Sequence, residues 1–454
     1  NPFGRMPSNA VALDWRAVAF TLGAAAFSTI LCGLAPALQA SRPDLNEAMK
    51  SSGRGVSGTR DAARARSLMA AGQIALSLVI VTAAVLMIET LARLESTPLG
   101  FRMDGVTVVE AGIPRKGPDS RTVFDGMLAK IKTVPGVEIA AMTNTWPLSI
   151  GFQDRLQVEG RPAPKKADAS ALSTRQWITS EYFAAMGIPL LEGRGFTEHD
   201  GEHSTPAAIV SRMAADRWFG GHAVGQRLKF EHEKEWRTVV GVAGDTATTF
   251  YNTIEWLHEP RVYEPAEQGG MEFTSPVHRT FYVVARGREI GKPEAEKILK
   301  SVSPDLRTAR VQSVRQMVAD VVQQPKLRMQ MLGGFAAMAL LLAAIGVYGV
   351  VAQSVIQRRR EIGIRVALGA QRNDVVRMVA AQGLRIAMAG IAAGVAGAIA
   401  AARLLAGLLY GVEPTDAGAL TLAAAVLALA AVAAAALPAR SAASVDPLRT
   451  LREE

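Results

Sequence analysis

Residues 331–356 read MLGGFAAMALLLAAIGVYGVVAQSVI, and residues 357–370, directly after them, read QRRREIGIRVALGA. The first stretch has 26 residues without a charged side chain. A helix of about 20 mostly apolar residues is enough to cross the hydrocarbon core of a bilayer. The second stretch is rich in arginine, which is enriched on the cytoplasmic side of membranes. Together they predict a membrane-spanning helix that ends in a basic cytoplasmic segment.

Four other apolar stretches also predict spanning helices, which makes five in all. They cover residues 15–38, 68–91, 375–409 (membranous mainly from Ile386 onward) and 417–437. The alternative is a set of buried core helices in a soluble protein. An uncharged run of 26 residues argues against that alternative.

The basic residues predict how the spans are oriented. They concentrate in residues 41–67, in residues 357–377 and in the tail after residue 437, whereas the turn 410–416 has no Lys or Arg. If all three basic segments are cytoplasmic, the five spans alternate and the long block 93–325 lies outside. The net charge of +9 is then explained by an anionic membrane surface, and no nucleic-acid partner is predicted.

The outer block alternates between strand and helix patterns. GVTVVEAGI and EIAAMTNT are typical of strands, with an amphipathic helix between them, and RTFYVVARG begins a second such series near residue 279. Between the two series lie short strands and Gly-rich turns. The predicted fold class is therefore an α-helical transmembrane bundle plus an α+β domain, built from two β-α-β units and a mostly β insert.

The two ends of the chain resemble each other. Asp14 precedes Pro36 by 22 residues, and Asp416 precedes Pro438 by the same interval, each across an apolar run. The tails PALQASRPDL and PARSAASVDPL that start at the prolines are also alike. This internal repeat predicts that the chain holds the last span of one unit and a complete second unit.

Several motifs resemble the FtsX/MacB class of ABC transporter permeases. They are RRREIGIRVALGA after a span, and SEYFAAMGIPLLEGRGFTEHD, AAIVSRMAADRWFGG and WRTVVGVAGD in the outer block. The duplicated arrangement is similar to large orphan permeases that fuse two units, so the parent chain is expected to contain a second permease unit. The implied domains are a last helix of the preceding unit (1–40), a cytoplasmic linker (41–67), a transmembrane helix (68–92), an extracytoplasmic MacB-like core (93–325) and an FtsX-like permease domain (326–454).

In this family the segment between the second and third spans of a unit docks on a separate ATPase subunit. The resemblance assigns that role to residues 357–377, here called the coupling segment. Its own composition agrees, since apolar residues surrounded by arginines suit a partner's pocket, and Glu361 is placed to pair with Arg365. A plain basic anchor, or a helix lying on the membrane surface, remains an alternative. The predicted coupling residues are Arg358, Arg359, Arg360, Glu361, Ile362, Gly363, Ile364, Arg365, Ala367, Leu368 and Gly369.

No catalytic, cofactor or metal site is predicted. The sequence contains no G-x-x-x-x-G-K-[ST] motif, so ATP would be hydrolysed by a partner subunit and the chain itself is not expected to be an enzyme. It has one cysteine, Cys32, which excludes an intrachain disulfide and a thiolate metal cluster. Gly390 and Gly394 have the spacing that lets transmembrane helices pack closely, although glycine is also simply frequent in such helices.

The resulting expectation is a multi-pass permease of the bacterial inner membrane that passes motion from an ATPase to its outer domain, for export or extrusion of a substrate. A periplasmic adaptor or an outer-membrane channel is a further candidate partner. The first alternative is a non-transporting signalling protein that regulates a periplasmic or cell-wall partner. A membrane-anchored enzyme with its active site in residues 93–325 is a weaker one.

Overall fold

The computed structural model describes residues 57–113, 120–165, 168–249, 256–268, 279–358, 361–362, 364–365 and 371–443, together with 15–16, 18–23, 25–26 and 30. Residues 1–69 and 70–454 form two units, and every contact described below lies within the second. The described residues between 15 and 30 are helical. The rest of the predicted span 15–38 lies outside the described residues.

The helices are α1 (Ser57–Ser96), α2 (Ser120–Lys132), α3 (Tyr182–Met186), α4 (Arg212–Phe219), α5 (Lys292–Val302), α6 (Val314–Gln357), α7 (Arg372–Leu405) and α8 (Ala417–Ala443). Within the described residues, α1, α6, α7 and α8 are each long and apolar enough to cross a membrane. These four helices coincide with four of the five predicted spans.

The four long helices share one apolar core. It contains Ile74 and Leu78 of α1, Val347 of α6, Ala387 of α7 and Leu427 of α8, all nearly inaccessible to solvent. The outward faces are also apolar, as at Phe335, Leu341 and Leu429. A helix bundle that is apolar both inside and outside is suited to lipid rather than to water.

The strands are β1 (Val106–Ile113), β2 (Val137–Thr143), β3 (Phe152–Val158), β4 (Leu172–Ile178), β5 (Leu190–Gly193), β6 (Ala207–Ser211), β7 (Arg227–Phe230), β8 (Arg237–Ala243), β9 (Ala247–Thr248), β10 (Leu257–His258), β11 (Arg261–Pro265), β12 (Arg279–Gly287) and β13 (Arg307–Ser313). One end of the main sheet has the order β13-β1-β12-β2. Strand β12 is antiparallel to both β1 and β2, so β1 and β2 run parallel on either side of it.

Alternate residues of these four strands enter two different cores. Val109 and Phe281 face helices α2 and α5, where they join Phe124 and Leu299. Their neighbour Val108 faces the opposite side, where the core contains Leu94 of α1 and Met317 of α6. This follows from the two-residue period of a strand. The ends of two membrane helices therefore pack directly on the sheet.

The remaining strands form the other part of the outer domain. Strands β6 and β8 are parallel, β11 lies between β6 and β4, and β3 joins β4 to β7. Their own core contains Trp218 and Phe219 of α4 with Phe230 and Val239. This part is connected to the four-stranded end through β4, which pairs with β2 at Thr143 and Ile178.

Helix α6 links the outer domain to the bundle without interruption. Its N-terminus follows β13 directly and is capped by the Ser313 hydroxyl, with a reciprocal contact from Gln316. The helix has 44 residues and includes Pro325; at 1.5 Å per residue it is about 66 Å long. One continuous helix therefore runs from the outer domain into the span.

Candidate functional site: the coupling segment and its supports

The coupling segment lies at the end of α6 that is remote from the outer domain. Helix α6 ends at Gln357, with Arg358 as its C-cap. The Ile362 amide donates a 2.9 Å hydrogen bond to the Arg358 carbonyl, and residues 361–362 and 364–365 are helical. The predicted residues Arg359, Arg360, Gly363, Ala367, Leu368 and Gly369 lie outside the described residues.

The two described isoleucines of the segment point in different directions. Ile362 is 3% exposed and belongs to the core shared by the membrane helices, with Val375 and Val379 of α7. Ile364 is 44% exposed. Ile362 therefore holds the segment against its own helices, whereas Ile364 presents an apolar side chain to the outside.

The charged residues of the segment form a surface beside Ile364. Arg365 Nη2 lies 2.6 Å from Glu361 Oε1, which is the i,i+4 pair that the sequence suggests. Both side chains are about half exposed, so the ion pair contributes well under about 1 kcal/mol to stability. Arg365 Nη1 also lies 3.2 Å from Met378 Sδ of α7, which orients the guanidinium group. The surface combines an apolar centre with charges of both signs.

Gly390 and Gly394 lie where α7 crosses α1. A Cβ atom on Gly390 would lie 2.7 Å from the Ala71 carbonyl oxygen and 2.7 Å from Ile74 Cβ. On Gly394 it would lie 2.8 Å from Leu78 Cβ. Such distances are too short for any side chain, so both positions require glycine. The two backbones approach closely because dispersion contacts, not hydrophobic exclusion, hold helices together in lipid.

An ion network is buried inside the outer domain. Arg175 and Glu264 form a bidentate pair with distances of 2.5 and 2.9 Å, and their side chains are 3% and 0% exposed. Arg237 adds a second contact to Glu264 at 3.0 Å, and Glu233 pairs with both arginines. The Arg175 guanidinium also stacks over the Phe230 ring at 4.4 Å.

The pKa values of Arg175 and Glu233 are shifted by their burial and by their charged neighbours. Burial lowers the pKa of Arg175, but the hydrogen bond and charge of Glu264 offset this, and the pKa lies above its ordinary value. Burial raises the pKa of Glu233, and the contacts with Arg237 and Arg175 more than offset it, so that pKa lies below its ordinary value. Arg175 and Glu233 therefore both stay charged at neutral pH. The network joins β4, β8 and β11, which is a structural role.

Asp154, Glu231 and His232 form a second polar group, with potential ligand atoms within 4.8 Å of one another. Both carboxylates face guanidinium groups: Glu231 lies 3.3 Å from Arg155 and Asp154 lies 3.7 Å from Arg175. These positive charges oppose a bound cation, so the arrangement favours ion pairing.

Comparison with known proteins decides the family. The profile of the MacB-like periplasmic core domain matches residues 67–298, which is more than half of the chain. The profile of the FtsX-like permease C-terminal matches residues 333–447. The chain belongs to the MacB/FtsX permease family. The two matches fall on the outer domain with its preceding helix, and on α6 to α8.

The curated relatives are larger proteins. The chain is 27% identical over 281 residues to the pyoverdine export ATP-binding/permease protein PvdT of Pseudomonas savastanoi pv. phaseolicola, covering 60% of this chain and 41% of that protein. It is 26% identical over 282 residues to the macrolide export ATP-binding/permease protein MacB of Neisseria gonorrhoeae, covering 61% and 43%. The chain thus spans about two-fifths of the length of the relatives that it matches.

Two solved structures with some likeness to this chain are the periplasmic region and the extracellular domain of transporters. The periplasmic region of MacB from Actinobacillus actinomycetemcomitans is 15% identical with a TM-score of 0.34, and the match covers 50% of this chain and 97% of that one. The extracellular domain of the transporter YknZ from Gram-positive bacteria is also 15% identical, with a TM-score of 0.29, covering 45% of this chain and 100% of that one.

Proposed function

We propose that the chain is the membrane permease part of a MacB/FtsX-type ABC transporter and transmits motion mechanically. Helix α6 is the observation that carries this proposal. It begins on the sheet of the outer domain at Val314 and ends at the coupling segment, about 66 Å away at 1.5 Å per residue. A displacement of one end of a packed helix reaches the other end, because helices are stiff along their axes.

The source of motion is a separate ATPase subunit in the cytoplasm. The surface around Ile364 and the Glu361–Arg365 pair is its docking site on this chain. Exposed apolar residues within a charged rim are typical of protein interfaces. The relatives' names combine an ATP-binding part with a permease part, which supports such a partnership. No bound cofactor is required in this chain.

The location follows from the same scheme. The basic coupling segment lies in the cytoplasm, the outer domain lies beyond the inner membrane of a bacterium, and a periplasmic adaptor or outer-membrane channel would meet that domain. The bundle interior is mostly apolar, and routes for hydrophilic solutes usually contain polar residues. This favours export or extrusion driven by the outer domain over passage through this bundle.

The apolar bundle also suits a second candidate, a signalling protein that moves the outer domain to regulate a periplasmic or cell-wall partner. A transporter confers substrate efflux on cells that lack it. A signalling protein changes the activity of its outer partner without efflux. Measuring both in a deletion strain separates the two candidates.

The ATPase interface is tested by co-purification with candidate ATPases. Ile364→Asp should abolish recovery of the ATPase, because it places a charge at the centre of the docking surface. Leu191→Asp is the matched control, since Leu191 is 46% exposed but lies in the outer domain. Equal recovery of the ATPase with both variants would count against the docking role.

A further inference from the structure

A cluster of contacts joins three parts of the molecule where the bundle meets the outer domain. Its members are Thr90, Arg93 and Leu94 at the end of α1, Trp256 before β10, and Tyr410 and Gly411 in the turn between α7 and α8. This set is called the junction. It lies at the opposite end of the bundle from the coupling segment.

At the end of α1, the Leu94 carbonyl has no backbone N–H donor from the next helical turn. In a continuing helix the Leu94 carbonyl would accept from the amide of residue 98, but that residue is Pro98, which has no N–H. The Trp256 indole supplies the missing donor, with Nε1 at 3.1 Å from the Leu94 oxygen. Leu94 and Trp256 are 2% and 4% exposed, so no water can replace this bond.

The turn between α7 and α8 is attached to the same point. The Tyr410 amide donates to Thr90 Oγ1 at 3.4 Å, and the Arg93 guanidinium donates to the Gly411 carbonyl. The Tyr410 hydroxyl lies 3.5 Å from the Trp256 carbonyl oxygen, to which it donates. The Tyr410 ring packs on the core that contains Leu94 and Trp256. One residue of the turn therefore contacts both α1 and the outer domain.

Apolar contacts fix the turn on its other side. Leu409 and Val412 pack with Leu86 and Met87 of α1. The turn is thus held between a membrane helix and the outer domain, rather than extending freely into solvent.

We propose that the junction is a second mechanical link, in which Trp256 and Tyr410 hold the outer ends of α7 and α8 to the outer domain. The inference rests on the proposed function, since it takes the coupling segment as the source of motion. That segment joins α6 to α7 and includes the first residues of α7, so a displacement there moves both helices. Helix α6 passes it to the outer domain through the chain, and α7 passes it through the junction. Trp256 and Tyr410 are positioning residues in this scheme.

The first test measures the link without any ATPase. Spin labels at Glu413→Cys in the turn and Lys234→Cys in the outer domain, in a Cys32→Ser background, report the distance between the two parts in nanodiscs. Trp256→Phe and Tyr410→Ala should broaden and shift this distance distribution. Trp218→Phe, which changes a buried tryptophan of the β6–β8 core, should leave it as in the parent. An unchanged distribution in both junction variants overturns the inference.

The second test adds the co-purified ATPase and measures the same distance with and without ATP and vanadate. The parent should show a nucleotide-dependent change that both junction variants lose, while still recovering the ATPase in full. A change retained in the variants would overturn the inference alone. A parent without any change would contradict the proposed function and this inference together, whereas the first test would still report whether the physical link exists.

Substitutions of Thr90 test whether the link depends on its hydrogen bond to the Tyr410 amide or on side-chain packing alone. Thr90→Val keeps the shape but removes the acceptor for the Tyr410 amide, and should broaden the distribution; Thr90→Ser keeps the acceptor and should restore it. Equal behaviour of the two variants would contradict a hydrogen-bonded link.

Discussion

At the residue scale, the close contacts of α7 and α1 show why particular glycines occur in a membrane helix. Gly390 has backbone and side-chain atoms of α1 within 2.7 Å of where a Cβ would stand, whereas Gly349 of α6 has no atom within 4 Å. The same residue type therefore has different roles at the two positions. At Gly349 glycine only lowers helix propensity, by about 1 kcal/mol relative to alanine.

Gly390→Ala should lower the unfolding temperature of the chain in detergent, because the added methyl group forces α7 away from α1. Gly349→Ala is the matched control and should leave the unfolding temperature unchanged or raise it slightly. Thermal unfolding followed by tryptophan fluorescence measures both. If Gly390→Ala were as stable as the parent, the close approach of α7 and α1 would be wrong.

The buried ion network gives a second prediction for a single residue. Arg175→Met should destabilise the outer domain by about 3–5 kcal/mol, because Glu264 would remain buried with its charge poorly compensated. Arg227→Met removes an exposed pair with Glu159 and should change stability by less than about 1 kcal/mol. Urea unfolding measures the loss of stability in each variant. Equally small losses in the free energy of unfolding would contradict the role of the network.

The lowered pKa of Asp200 leads to a prediction about how the stability of the outer domain depends on pH. The hydrogen bonds from Arg194, at 2.6 and 2.8 Å, lower its pKa and outweigh the opposing effect of burial. The pKa of Asp200 in the folded state therefore lies below its unfolded value of about 3.9. The ionised carboxylate then makes its full contribution to the free energy of unfolding at any pH above the unfolded value. It is lost as the pH falls through the folded pKa.

The difference in unfolding temperature between the parent and Asp200→Asn should therefore be constant near neutral pH and shrink below about pH 4. Asp305→Asn, at an exposed position of the same domain, is the control. A difference that stayed constant down to the lowest accessible pH would show that Asp200 contributes no linkage.

At the element scale, α6 is the part whose stiffness matters most. Its residues 323–327 leave the outer domain and enter the bundle, and Gln323, Gln324 and Lys326 are exposed there. Replacing these three residues with glycine lowers helix propensity by about 1 kcal/mol at each position and makes α6 more flexible there. Replacing them with alanine removes the same side chains and keeps the helix.

The glycine variant should bind the ATPase normally but lose the nucleotide-dependent movement of the outer domain, and the alanine variant should keep both. Labels on the outer domain and on the coupling segment, read by pulsed electron resonance, measure the movement. Identical responses from the two variants would exclude α6 as the transmitting element.

The sequence predicts some of these elements better than others. The spans follow from their length and lack of charge, and the mixed α/β character of the outer domain follows from alternating apolar residues around Val108 and Val283. The burial of Ile362 could not be foreseen, because it depends on where α6 and α7 converge. Pro98 has no N–H to offer the Leu94 carbonyl, but no feature of the sequence near it points to Trp256 as the donor. Likewise, Arg175 and Glu264 are far apart in sequence, and only the sheet brings them together.

At the scale of the whole molecule, the outer domain is attached to the bundle at the start of α6 and at the junction, which includes the end of α1. In the proposed scheme, a movement of the helices reaches the outer domain through both attachments. Exposed apolar residues lie on α6, α7 and α8, as at Leu341, Met388 and Leu429, and are suited to contact with lipid. Under the proposed function, these attachments would carry the effect of ATP hydrolysis in a partner subunit to the outer domain.

The central claim is that the coupling segment and the outer domain lie on opposite sides of a membrane and are joined by α6. Cysteine labelling tests it most directly, using Ile364→Cys and Lys234→Cys separately in a Cys32→Ser background, in intact spheroplasts with a membrane-impermeant maleimide. We predict that Lys234→Cys reacts at once and that Ile364→Cys reacts only after the membrane is permeabilised. Reaction of both before permeabilisation, or of both only after it, would contradict the claim.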